Sequence, residues 1–164
     1  MTNKALYKLV YQNTRQDLQE GKVLVKELLA PEMLVQYELP IYLESVSAGF
    51  PSPAEDYVEG KLDLNEHLIK NPTATFFVRV TGNSMEGAGI YSGDTLIVDR
   101  SINPKHGSVV IAVVNGELTV KRLSKKNNKI TLYPENTNYK PIEITIDMEF
   151  EVWGVVTTVI HSVL

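Results

Sequence analysis

Ser84 is the first residue of this chain whose setting suggests chemistry. It lies in Thr81-Gly-Asn-Ser-Met85, directly after a strand-like run, Phe76-Phe-Val-Arg-Val80. Gly82 permits a tight exit from that strand, and the residues after Ser84 are placed to begin a helical turn. Such a turn exposes a hydroxyl and leaves backbone N–H groups unpaired beside it, as an oxyanion hole requires. Taken alone the signal is weak, because a serine in a Gly-Asn-Ser turn is far more often structural.

Lys121 is the second. Asn115-Gly116 separates two strand-like runs, Ser108–Val114 and Glu117–Leu123, and Asn-Gly is the strongest short-range hairpin signal. A two-residue loop pairs Val114 with Glu117, Ala112 with Thr119 and Val110 with Lys121. One face of the hairpin then carries Val109, Ile111, Val113, Leu118 and Val120. The other places Lys121 across from Val110, beside Ala112, Thr119 and Leu123. A mid-strand lysine among such neighbours is either a guard on an edge strand or a desolvated functional amine. From pattern alone the guard is the commoner role.

Other chemistry has little support. His67, His106 and His161 are the only histidines and fit turn or surface roles. No HExxH or other clustered His/Asp/Glu spacing suggests a metal, and there is no GxGxxG or P-loop, so neither metal nor cofactor is expected. The absence of cysteine excludes disulfides, thiolate zinc sites and a cysteine nucleophile.

These residues need elements to position them, and the chain falls into three zones. Residues 1–47 hold the best helical pattern: Thr14 and Asp17 resemble a capping box, and Leu18, Val25, Leu28 and Leu29 follow near helical spacing until Pro31. A short helix is therefore expected there. Residues 48–74 read as an extended arm, with breakers at Pro51 and Pro53 and a helical turn at Asp63–Ile69. From residue 75 onward the runs are β-branched or aromatic and separated by Gly, Pro, Asn or Asp. That predicts a compact, mostly antiparallel β domain over 75–164.

Composition narrows the function classes. The chain has 164 residues, 43% hydrophobic and 22% charged, which suits a globular domain with a real core. No apolar run approaches the ~18 residues of a membrane span, so a cytoplasmic, membrane-free protein is expected. Residues 1–48 carry five Lys/Arg against six Asp/Glu, and residues 49–164 eleven against fourteen. Neither has the basic excess that binding a phosphate backbone requires, so no direct DNA binding is expected. Lys121, Arg122, Lys125, Lys126 and Lys129 are read as a strand end and solvated turn. The N-terminal zone is too short for a full helix-turn-helix domain.

The motifs become specific when taken in order. Gly82-Asn-Ser-Met85, Gly89-Ile-Tyr-Ser-Gly-Asp-Thr-Leu-Ile-Val-Asp99, His106-Gly-Ser-Val-Val-Ile-Ala-Val-Val-Asn-Gly-Glu-Leu-Thr-Val-Lys-Arg122 and Trp153-Gly-Val-Val156 closely resemble the peptidase domain of the LexA/UmuD (S24) family of Ser–Lys autoproteases. The resemblance runs from about Leu43 to the C-terminus. It is strongest to the UmuD-like branch, through Ala48-Gly-Phe-Pro-Ser-Pro-Ala-Glu-Asp-Tyr-Val58, Leu62-Asp-Leu-Asn65 and Tyr133–Ile142. The stretch before Gly49 is longer than that branch's short arm, and residues 1–40 match no pattern of the family.

The resemblance implies a mainly β fold of the LexA/UmuD peptidase type preceded by a mobile arm, and the residue pattern adds a short N-terminal helical segment before it. It implies Ser84 as nucleophile, Lys121 as general base, Met85 as backbone support for the oxyanion, and Ala48–Gly49 as the self-cleaved bond. Val46 and Phe50 would be read by the site as the arm docks. It further implies a homodimer, activation by a RecA–single-stranded DNA filament, and a trimmed product, residues 49–164, that joins a UmuC-like error-prone polymerase in the SOS response to DNA damage. The alternative is a LexA- or phage-repressor-like transcriptional regulator inactivated by the same cut, against which the short N-terminal zone, with no basic excess, speaks.

The chemistry sets a clear demand. A free lysine has a pKa of ~10.4, so near pH 7 only about one in ~2500 is neutral and able to take a proton. Bringing that value to ~7 disfavours the ammonium by roughly 4.6 kcal/mol, which apolar neighbours such as Val110 and Ala112 are suited to supply. Tethering the substrate to the site makes the attack intramolecular, so a weak fit suffices.

Overall fold

A computed structural model describes residues 24–29, 38–42 and 58–164. Ten strands occur among them: β1 (Leu24–Leu29), β2 (Glu38–Tyr42), β3 (Val58–Asp63), β4 (Thr75–Thr81), β5 (Thr95–Asp99), β6 (Val109–Val114), β7 (Glu117–Lys126), β8 (Lys129–Tyr133), β9 (Ile142–Ile144) and β10 (Phe150–Ile160). A short helix, α1 (Leu64–Leu68), follows β3, and a single 3-10 turn spans Glu86–Ala88. Eight strands form one antiparallel sheet in the order β1-β4-β5-β10-β6-β7-β8-β9, and β1 also meets β7 through Leu24 and Thr119. The mainly antiparallel β fold expected from the sequence is borne out.

The β6–β7 hairpin follows from its turn. Asn115 and Gly116 both take positive φ, at 49° and 83°, the pair of left-handed residues that a two-residue hairpin loop needs to match strand twist. Val110 therefore faces Lys121, Ala112 faces Thr119 and Val114 faces Glu117, the expected register. Its two faces feed separate apolar clusters. Ile111, Leu118 and Val120 join Phe76, Val78, Val80 and Met85 on one side, whereas Val110, Ala112 and Leu123 pack with Leu132 and Val155 on the other.

The helix expected to run to Pro31 is corrected by the backbone. Leu24–Leu29 is a strand, paired with β4 from Leu24↔Thr81 to Leu29↔Phe77, with an irregularity between Val25 and Glu27. Short apolar runs fit helix and strand periods alike. Here the exposed edge of β4 offers a ladder of backbone partners that a local helix would leave unused. The proposed cap at Thr14 and Asp17, with Leu18, lies outside the described residues. By internal packing, β1 goes with residues 71–164, whereas residues 32–70 form a unit of their own.

In that second unit β2 and β3 pair antiparallel, Glu38 opposite Asp63 and Leu39 opposite Leu62. The segment read as extended arm thus contributes a strand, and the expected turn after it is present. Asp63 caps α1, its carboxylate accepting the Asn65 N–H at 2.7 Å and the Glu66 N–H at 3.4 Å. Among the described residues no helix is long and apolar enough to cross a membrane.

Candidate active site

Lys121 lies inside β7 at 5% exposure, with Val110, Ala112 and Leu123 of its own face fully buried around it. At this position β7 runs beside β6, and its next residue pairs on the other side with Tyr133 of β8. The strand is not an edge, which removes the guard role and leaves the desolvated amine. Its Nζ is 2.9 Å from Ser84 Oγ, 3.1 Å from Thr119 Oγ1 and 2.9 Å from the Val120 carbonyl.

Ser84 arrives from the other direction. Strand β4 ends at Thr81, Gly82 turns the chain at φ 92°, and the 3-10 turn begins two residues past Ser84. The Met85 side chain, fully buried in the larger apolar cluster, pins the turn to the sheet. The exposed hydroxyl expected from the sequence is corrected: Ser84 has no exposure at all. Its enclosure has a visible cause, since residues beyond β8 lie along the turn. The Glu135 N–H donates to the Ser84 carbonyl at 2.8 Å, and the Glu135 carbonyl accepts the Gly87 N–H at 2.7 Å. The Asn136 side-chain amide donates to the Asn83 carbonyl at 2.9 Å, and the Tyr139 hydroxyl bonds the Asn83 side chain. Among the described residues, neither the Ser84 nor the Met85 N–H donates to an acceptor.

Ser84, Met85 and Lys121 are brought together as the sequence suggested. Val46, Ala48, Gly49 and Phe50 lie outside the described residues. Thr119 was missed as a site residue, although the hairpin register had already put it on the Lys121 face. Glu135, Asn136 and Gly87 were missed for a different reason: no local pattern links residue 135 to residue 84.

The histidines stand apart from this chemistry. His161 Nδ1 is 2.7 Å from buried Asp94, His106 Nδ1 accepts the Lys125 N–H at 3.3 Å, and His67 sits in the last turn of α1. Much of the basic run is tied down: Lys125 donates to the Pro104 carbonyl, Lys129 pairs with Glu143 and Arg122 with Glu135. No cluster of His, Asp or Glu among the described residues could hold a metal ion.

Known proteins share this sequence over most of its length. The family described as Peptidase S24-like matches residues 40–157. Protein SamA of Salmonella typhimurium is 47% identical over 136 residues, 82% of this chain and 94% of that protein. Protein MucA of Escherichia coli is 45% identical over 129 residues, covering 78% of this chain and 86% of its own. Protein ImpA of Shigella flexneri is 45% identical over 136 residues, covering 76% and 85%.

Proposed function

The chain belongs to the Peptidase S24-like family, and on that premise we propose that it cuts its own Ala48–Gly49 bond with Ser84 as nucleophile and Lys121 as general base. One observation carries the reading: a buried lysine amine lies 2.9 Å from a buried serine hydroxyl. A neutral amine that donates to Thr119 Oγ1 and the Val120 carbonyl can turn its lone pair to the Ser84 hydroxyl.

The steps follow from these positions. Lys121 takes the proton as Ser84 Oγ attacks the Ala48 carbonyl carbon, and the N–H groups of Ser84 and Met85 receive the oxyanion. The tetrahedral intermediate collapses as Lys121 returns the proton to the departing Gly49 nitrogen. Ala48 is left as an ester on Ser84. Water, deprotonated by Lys121, then hydrolyses the ester and restores the serine. The small residues at the cut let an extended segment approach closely, with Val46 filling a pocket and Phe50 following the cut. Each molecule is cut once, so the reaction is a switch and not a digestive activity.

The same reading divides the chain into an N-terminal segment over 1–47, removed together with Ala48 by the cut, a cleavage site and arm over 48–74, and a peptidase domain over 75–164. It places the protein in the cytoplasm as a homodimer. A RecA–single-stranded DNA filament would favour the docked arm, acting on a population rather than adding a catalytic group. The trimmed product would serve a UmuC-like error-prone polymerase during the SOS response. The resemblance of the arm and loop motifs to the UmuD-like branch supports these assignments.

Intact-mass measurement tests the core of it. Incubation with RecA, single-stranded DNA and a nucleotide, or at alkaline pH alone, should yield a fragment beginning at Gly49, absent from Ser84→Ala. The rate should rise with pH as the neutral amine becomes more common and level off once Lys121 is deprotonated. Absence of cleavage under both conditions would refute the proposal.

A further inference from the structure

The residue after the proposed base points away from the apolar face that holds it, and its contacts lead back to the serine. Arg122 pairs through Nε with the Glu135 carboxylate, and its Nη1 donates to the Gly107 carbonyl at 2.7 Å. Glu135 in turn uses its backbone, not its side chain, to hold the Ser84 turn. Its N–H reaches the Ser84 carbonyl at 2.8 Å and its carbonyl takes the Gly87 N–H at 2.7 Å, so one residue brackets the turn at both ends. The fit leaves no slack: a Cβ added to Gly87 would lie 2.5 Å from the Glu135 carbonyl oxygen.

We propose that Glu135 and Arg122 are positioning residues for the nucleophile, forming a clamp that ties the Ser84 turn to the strand carrying Lys121. The inference rests on the self-cleavage reading and deepens it. Lys121 and Arg122 are consecutive on β7, Arg122 holds Glu135, Glu135 holds Ser84, and Ser84 Oγ meets Lys121 Nζ. The connections close a ring through the reacting pair. Glu135 also lies only two residues past Tyr133, which is opposite Arg122 in the β7–β8 ladder. The ladder delivers the Glu135 backbone to the turn, and the ion pair keeps it there.

Energetics separate this role from a merely stabilising one. The Arg122 and Glu135 side chains are 38% and 28% exposed, and ion pairs with that access to water contribute little to stability. Reaction rate is far more sensitive to geometry, since a displacement of about 1 Å at a reacting pair can cost ~100-fold. The clamp therefore should matter much more to rate than to folding.

The test uses the full-length chain. Arg122→Ala, Glu135→Ala and the double variant are compared with wild type for first-order self-cleavage at a series of alkaline pH values, together with thermal midpoints and amide exchange. Each single variant should cleave at least ~10-fold more slowly, with an unchanged pH midpoint and a thermal midpoint lowered by only a few degrees. The double variant should be no slower than the slower single, because both residues form one link. Gly87→Ala, which pushes against the clamp sterically, should slow cleavage at least as much. Cleavage within twofold of wild type in both singles would overturn the proposal, as would a shifted pH midpoint or multiplicative effects in the double. If the wild type itself does not cleave, the self-cleavage reading fails, while amide exchange still decides the clamp. The Gly87 and Glu135 N–H groups should lose protection in Arg122→Ala, and unchanged protection would overturn it.

Discussion

Lys121 lies in the middle of a ten-residue strand, whereas Ser84, 2.9 Å away, lies in a turn between a strand and a single turn of 3-10 helix. The two halves of the site are held by different means. The lysine is placed by ladder register, set by a two-residue loop five residues away, and Thr119, which supports its amine, is two positions back on the same strand. The serine is placed by a loop some fifty residues further along the chain, through the backbone of Glu135 and the side chains of Asn136 and Tyr139. Regular structure fixes a side chain by periodicity alone. A turn has no such repeat and must borrow rigidity from whatever packs on it.

The contrast is attacked most directly at Lys121. Lys121→Met keeps the unbranched stem out to Cε and removes the amine. Self-cleavage should fall by at least ~1000-fold, the upper part of the range for losing a general base. The fold should survive with an equal or higher thermal midpoint, because a buried amine gives way to an apolar group beside Val110, Ala112 and Leu123. Intact-mass time courses and thermal melts check both. A variant that fails to fold would show that the amine, and not register, holds this half together.

A milder change asks how much the strand needs its local support. Thr119→Val retains the β-branched shape and deletes the hydroxyl 3.1 Å from Lys121 Nζ. One hydrogen bond of about 1 kcal/mol corresponds to roughly fivefold in rate, so cleavage should slow by about that factor with little change in stability. An effect as large as that of Lys121→Met would mean that Thr119 takes part in the proton transfer itself.

The same contrast decides what was legible in the sequence. The hairpin, its register and the apolar setting of Lys121 follow from Asn115-Gly116 and alternation alone, and all are present in the fold. The turn at Gly82 was legible for the same local reason. What misled was non-local. The Leu24–Leu29 segment carries a pattern compatible with helix, and only the open edge of β4 makes it a strand. The enclosure of Ser84 by Glu135 likewise depends on a meeting between distant residues that no spacing rule reveals. Ordered family motifs supplied the Ser–Lys pairing, but they did not say that Glu135 acts through its backbone.

Asp99, at the exit of β5, repeats the contrast in miniature and gives the smallest effect. Its carboxylate accepts the Ser101 N–H at 2.7 Å and the Ser101 hydroxyl at 2.6 Å, both local, and the Asn71 amide at 2.8 Å, from 28 residues away. Burial pushes its pKa up. The Asn71 amide foremost, with the Ser101 and Ile102 donors, outweighs burial and holds it below the ordinary aspartate value. A group depressed in the folded state adds stability that is present above its unfolded pKa and lost as pH falls through its folded one. Asn71→Ala should therefore cost about 1 kcal/mol near neutrality and move the acid-unfolding midpoint to higher pH, leaving the alkaline cleavage rate unchanged. Ser101→Ala, which keeps its backbone donor, should move that midpoint less. If the order is reversed, the local donors dominate at this turn, and reliance on distant partners is peculiar to the serine turn rather than general to the turns of this fold.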